Sequence, residues 1–144
     1  MKKLILLILS TALVFTVANV SAAETNYENG TYRGIFADRG DIQVAIQLTL
    51  ENNMVTDISF RQLYHSGIDY RTSKRYSTVN GIRDQHQQLI NYLLGKDIRI
   101  SLADLYHPGS IVTTEIDGFT GATLRSGKII SAINDALNRG VYRY

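Results

Sequence analysis

Cysteine is absent from all 144 residues. Its absence excludes disulfides, iron–sulfur ligation and thiolate metal sites, and with them a lipid-modified N-terminal cysteine. Tryptophan is also missing, and proline occurs once. Charge of one sign is scarce: 15 Lys+Arg stand against 13 Asp+Glu. Two of the lysines, Lys2 and Lys3, open the chain, and without them each sign counts 13. No basic cluster remains that would point to nucleic acid. The short run Arg71, Lys74, Arg75 reads as a solvated loop. The three histidines, His65, His86 and His107, are too scattered for a metal-ligand pattern, and His86 reads as a surface or boundary residue of a helix. There is no internal repeat, no low-complexity segment, no P-loop, no Ser-His-Asp order and no paired-carboxylate signature.

Among what is present, the first 23 residues stand apart. Lys2-Lys3 precede an apolar run from Leu4 to Ala18, and the segment closes on Val20-Ser21-Ala22-Ala23. That order is the layout of a secretory signal peptide, with cleavage after Ala22 or Ala23. An uncleaved anchor is the alternative, since about 20 apolar residues cross a bilayer. The chain thus divides into a leader, 1–23, and one domain, 24–144, whose size is compatible with a single packed core.

Thr31–Leu63 reads as a three-stranded antiparallel meander. Ile42, Val44, Ile46, Leu48 and Leu50 alternate with Gln43, Ala45, Gln47 and Thr49, giving one apolar face. A three-residue loop at Asp38-Arg39-Gly40 sets Phe36 opposite Ile42 and Tyr32 opposite Ile46. A three-residue loop at Glu51-Asn52-Asn53 sets Ile58 opposite Ile46. A two-residue Asn52-Asn53 loop would bring Asp57 opposite Leu48, and that register is rejected because a one-residue slip flips every side chain. Leu63–Asn80 reads as a long loop. Ile82–Leu94 reads as a helix capped by Asn80 and stopped by Gly95. Asp97–Leu102 alternates weakly, Pro108-Gly109 marks a turn and the β-branched run Ile111–Ile116 fits a strand. Ser126, Ile130, Ile133 and Leu137 share one face of a final helix that ends at Gly140.

Between that strand and that helix lies Asp117-Gly118-Phe119-Thr120-Gly121-Ala122-Thr123. Small residues and hydroxyls at a strand-to-helix junction suit an anion, because the first helical N–H groups lack internal partners and the helix dipole adds positive charge. A threonine before a helix also serves as a plain cap. The residues alone leave both readings open.

Asp117, Thr120, Gly121, Ala122 and Thr123 resemble the flavinylation motif of the FMN-binding domain family: Asp, two variable residues, Ser or Thr, Gly, Ala, Thr, then a helix. Gly30-Thr31-Tyr32, Gly40-Asp41-Ile42 and Val55-Thr56-Asp57-Ile58 look like further family features. The resemblance implies an α+β fold in which an antiparallel meander packs against helices. It implies FMN (flavin mononucleotide) joined to Thr123 as a phosphoester, with Asp117, Thr120, Gly121, Ala122 and Ser126 around it. It implies a flavin transferase as maturation partner, with FAD as donor, and redox proteins or a membrane quinone-linked reductase as electron partners. With the leader, it implies a periplasmic or extracellular electron carrier rather than a stand-alone enzyme, membrane-associated if the leader persists. A non-covalent FMN module and an exported interaction domain in which Thr123 only caps a helix are the alternatives.

The chain departs from the family after the third strand. A His-x-Glu-Thr-x-Gly-like segment is replaced by Tyr64-His65-Ser66-Gly67-Ile68-Asp69, with no Glu-Thr pair. Arg125 stands where a small residue is common, either steadying the phosphate or lying on the surface. Tyr64, Tyr70 and Tyr76, three of nine tyrosines, are candidates for stacking on a flavin or for half-buried surface positions.

Overall fold

The computed structural model describes residues 25–73, 77–115 and 118–144, with backbone alone at 77–78 and 118–120. The leader, Lys74-Arg75-Tyr76 and Ile116-Asp117 lie outside the described residues.

Four strands run in the order β1 (Gly30–Asp38), β2 (Asp41–Glu51), β3 (Met54–His65) and β4 (Ile68–Asp69), all antiparallel neighbours. Helix α1 (Ser77–Leu93), the short α2 (Ile98–Ser101) and the long α3 (Gly118–Arg139) follow, with two 3-10 turns at Leu102–Tyr106 and Pro108–Ser110. This is the α+β arrangement expected. The meander gains a fourth strand, because β3 continues to His65 and turns back through Ser66-Gly67. The long loop expected from Leu63 is correspondingly shorter.

All three hairpins use two-residue turns whose central residues are left-handed: Arg39-Gly40, Asn52-Asn53 and Ser66-Gly67. Such turns match the twist of the flanking strands. Both three-residue loops expected from the pattern are therefore corrected. At Asn52-Asn53 the rejected turn is the one adopted, with Leu50 opposite Val55. One extra residue, Thr56, then restores the phase, so Leu48 faces Ile58 and the apolar faces still meet. A bulge does here what a longer loop was expected to do.

A second bulge, between Phe36↔Val44 and Ala37↔Ile42, makes Gln43 the extra residue of β2. The two side chains at such a bulge tend toward the same face. Accordingly Gln43 (7% exposed) and Val44 (1%) are both buried, while Ile42 is 37% exposed. The alternation that put Ile42 inside and Gln43 outside fails at this end of the strand.

The core lies between the sheet and the helices. Ile46, Leu48 and Leu50 of β2 meet Leu89, Ile90 and Leu93 of α1 and Ile129 and Ile133 of α3, all at zero exposure. Burying each such side chain contributes about 2 kcal/mol. Gly34 lets α3 press onto β1: a Cβ there would stand 2.1 Å from the Ala132 carbonyl oxygen and 2.3 Å from the Ala136 nitrogen. Asp135 accepts a hydrogen bond from the Ile35 amide at 2.8 Å, so α3 also covers a backbone donor of edge strand β1.

Helix α1 begins at Ser77 rather than after Asn80, whose Oδ1 accepts from Arg83 instead of capping. Asp97–Leu102 is helical in its centre, with Asp97 capping α2 through the Arg99 amide. The strand expected over Ile111–Ile116 does not form within the described residues. Its backbone is met by α1 side chains instead: Gln88 Oε1 accepts from the Thr113 amide and Gln85 Nε2 donates to the Thr114 carbonyl. Glutamine amides thus replace a neighbouring strand.

Candidate functional site

Helix α3 starts at Gly118, five residues before Thr123. The sequence placed that start just after Thr123, and the structure corrects it. The helix-end N–H groups without internal partners thus belong to the first turn, residues 118–120, not to residues beyond Thr123. Thr123 is exposed, in the second turn. Ala122 is buried at 5%. Ser126 is also buried and donates from its hydroxyl to the Leu105 carbonyl. Thr120 lies in α3 by its backbone, and Asp117 lies outside the described residues.

A half-open cleft of about 240 Å³ adjoins this segment. From α3 it takes Gly121, Leu124, Arg125 and Lys128, a single helical line at spacings of three and four. Ile82 and His86 of α1 form a second wall, and Gln43, Leu63, Tyr64 and Tyr70 close the sheet side. Each helical residue turns the chain by about 100°, so Thr123 sits roughly 150° around α3 from the cleft line. Gly121 and Arg125 reach the cleft; Ala122, Thr123 and Ser126 do not line it.

The polar groups of the cleft are specific. His86 is 3% exposed, and its Nδ1 donates to the Ile82 carbonyl at 2.8 Å. Its ring meets Phe60 edge-on at 5.9 Å. Burial, with smaller contributions from the Arg125 and Lys128 charges, pulls its pKa down to about 4. It is therefore neutral at pH 7, with Nδ1 protonated and Nε2 left as an acceptor. The sequence reading of His86 as a surface or boundary residue is overturned, because its ring is buried against Phe60 of β3.

Arg125 is held by α1, its Nη1 donating to Gln85 Oε1. Burial lowers the Lys128 pKa, opposed by the Asp38 charge, and burial raises that of Tyr70. No carboxylate lines the cleft among the described residues. Gln43 Oε1 is buried and has no hydrogen-bond partner. Two cations, two tyrosines, the imidazoles of His65 and His86 and an unpartnered amide oxygen together suit a flat, anionic, hydrogen-bonding ligand. Among the described residues no group of His, Asp and Glu is placed to hold a metal ion.

Of these residues the sequence had singled out Gly121, Arg125, Tyr64 and Tyr70. It missed Gln43, His86 in this role, and Lys128. Only an unusual alternation break could have flagged Gln43, and the run Ile42–Leu50 carries none. A larger groove of about 500 Å³ lies between β1, β2 and the C-terminal residues, lined by Arg33, Arg61, Arg139 and Arg143. Among the described residues of the motif none lines it.

The family model for the FMN-binding domain matches residues 39–138. That span covers β2, β3, α1, all of α3 but Arg139, and every residue of the cleft. No curated protein and no solved structure gives a significant match to the chain.

Proposed function

Because the chain belongs to the FMN-binding domain family, with FMN as its cofactor, we propose that it is an exported electron carrier whose FMN is esterified to Thr123. The observation that carries this reading is the run Thr120-Gly121-Ala122-Thr123, which ends on an exposed residue with a hydroxyl side chain and from which Gly121 lines the cleft. A threonine hydroxyl is a weak nucleophile without a base. Activation therefore falls to a flavin transferase. The pyrophosphate bond of FAD breaks, the Thr123 Oγ–P bond forms, AMP leaves and the hydroxyl proton passes to the transferase.

The start of α3 suits such a substrate. Gly118–Thr123 holds two glycines and two threonines, and glycine disfavours helix by about 1 kcal/mol relative to alanine. A segment of this composition unwinds at small cost. Unwinding would free the Thr123 hydroxyl for a transferase and would relieve the turn of the helix that sets it away from the cleft, where Arg125, Lys128, Tyr64 and Tyr70 would hold the group. When bound, FMN supplies one- and two-electron redox chemistry. The chain supplies aromatic walls from Tyr64 and Tyr70 and positive charge from Arg125 and Lys128. A covalent link retains the cofactor outside the cytoplasm, where a dissociated flavin is lost by diffusion. The leader, 1–23, is the basis for export; among the described residues no helix is long and apolar enough to cross a membrane.

Intact mass of the chain coexpressed with a flavin transferase tests the proposal. The expected product carries one FMN phosphoester and lacks the leader. Thr123→Ala and Thr123→Val abolish the adduct. A full-length, unmodified mass in the presence of an active transferase overturns it.

A second reading has its own support. Arg125 and Lys128 line the cleft while Thr123 does not, which favours FMN held without a bond, its phosphate on those two cations. Flavin that leaves the chain on denaturation, in an unmodified protein, selects this reading.

A further inference from the structure

Gln43 breaks the rule that the rest of its strand obeys. Burying an amide oxygen without a partner costs on the order of 1–3 kcal/mol. The same position filled by leucine would add apolar burial instead. Yet the bulge opposite Phe36 turns Gln43 inward while the neighbouring Ile42 faces solvent. The other two buried side-chain amides of the sheet and α1 are satisfied. Gln85 donates to the Thr114 carbonyl and accepts from Arg125, and Asn53 accepts from the Tyr27 amide and donates to Asn26. Among the described residues Gln43 Oε1 is the one buried side-chain atom without a partner, and its residue lines the cleft.

The chemistry of the cleft narrows what completes that atom. Arg125 and Lys128 only donate, so anionic oxygens serve them. An unpartnered carbonyl oxygen requires a ligand donor. The oxidised isoalloxazine ring has one N–H donor, at N3, set between two carbonyl groups. A primary amide, with a carbonyl acceptor beside N–H donors in one plane, is complementary to that edge.

We propose that Gln43 reads the amide edge of the flavin ring, accepting from N3–H and donating to an adjacent ring carbonyl. This rests on the reading of the cleft as the flavin site. It makes the bulge of β2 the device that aims a recognition group, a use to which bulges near sites are put.

The test uses the full chain produced without a flavin transferase, as wild type and as Gln43→Leu. Each is titrated with lumiflavin, which has the ring and no ribityl chain, and with 3-methyllumiflavin, which lacks the N3 proton. Wild type is expected to prefer lumiflavin by about tenfold, the size of one well-made hydrogen bond. Gln43→Leu is expected to lose the preference and, without ligand, to melt higher than wild type, because an unsatisfied buried group is gone. Equal affinities in wild type, a preference that survives in Gln43→Leu, no binding of either flavin, or a lower melting temperature of Gln43→Leu each overturn the proposal. The last would mean that the amide is satisfied by water within the fold. Intact mass after coexpression with a transferase is read in parallel. An FMN adduct without ring discrimination removes the role of Gln43 alone. Neither adduct nor flavin binding removes the FMN reading as well.

Discussion

The two ends of β2 bury amides in opposite ways. At the Asn52-Asn53 end, Asn53 is 8% exposed and its own polar groups are paired: its side chain ties Tyr27 and Asn26, and its carbonyl accepts from Ile98. At the Gln43 end, an equally buried amide oxygen is left without a partner, beside a neutral imidazole and two cations. One end is closed by its own chain; at the other the chain supplies no partner for the Gln43 oxygen. A satisfied buried amide serves the fold, whereas an unsatisfied one in a residue that lines a cleft is the feature from which the proposed ring contact is argued.

The contrast can be broken most severely at the helix that spans it. Gly34→Ala places a methyl group inside the α3 backbone, which neither end can absorb. A loss of at least about 4 kcal/mol is expected, or no folded protein; urea unfolding followed by circular dichroism reads it.

The cleft end alone should respond to mild acid. His86 binds a proton near pH 4 when folded and near 6.5 when unfolded. Between those values the unfolded chain binds more protons, so stability falls as pH is lowered. The contribution is intact above pH 6.5 and declines by up to about 3 kcal/mol at pH 4. His86→Gln should flatten the difference between urea midpoints at pH 7 and pH 5. The closed end should not contribute in that window, since the Arg99 guanidinium holds the Asp97 carboxyl below its usual range.

At the closed end, Asn53→Ala strips the partner from the Tyr27 amide and strains a left-handed residue at φ 65°. A loss of about 2 kcal/mol is expected. Asn53→Gly, which relieves the backbone while losing the same bonds, should recover part of it, and the difference between the two melts separates backbone from side chain. The smallest effect belongs to Arg143→Ala. Its bond to Glu28 joins two largely exposed side chains, so a change within about 0.5 kcal/mol is expected. A larger loss would show that the C-terminal residues do more for the sheet than their exposure implies.

The same contrast explains what could be read in advance. Between Ile46 and Leu50 the alternation is strict, the burial follows it and the core is the one the pattern describes. The final helix, its stop at Gly140 and the motif of residues 120–123 were equally legible, because periodicity, a left-handed glycine and a named family pattern are local signals. The bulges were not. Whether a hairpin keeps its faces aligned by a longer turn or by a two-residue turn and an extra residue within the strand is decided by packing across the sheet. Both give the same hydrophobic alternation over most of their length. Gln43 fell at such a bulge, so its burial left no local trace. Ile111–Thr114 failed for a related reason: an extended β-branched run needs hydrogen-bonding partners, and glutamines 29 and 25 residues earlier along α1 supplied them.

The C-terminal residues fold back on the start of β1. Val141 bridges Tyr32, the Tyr142 amide donates to the Thr31 carbonyl, and the Arg33 guanidinium lies over the Tyr142 ring at 3.7 Å. Residues 26–28 are pinned to the same edge through Asn53, Tyr32 and Arg143. From there to Phe36, beside the Gln43 bulge, is six residues of strand, about 20 Å. Residue 25 therefore lies at the pole of the sheet far from the cleft, and the two functions of the sheet, closing its own ends and framing the cleft, are kept about a strand's length apart.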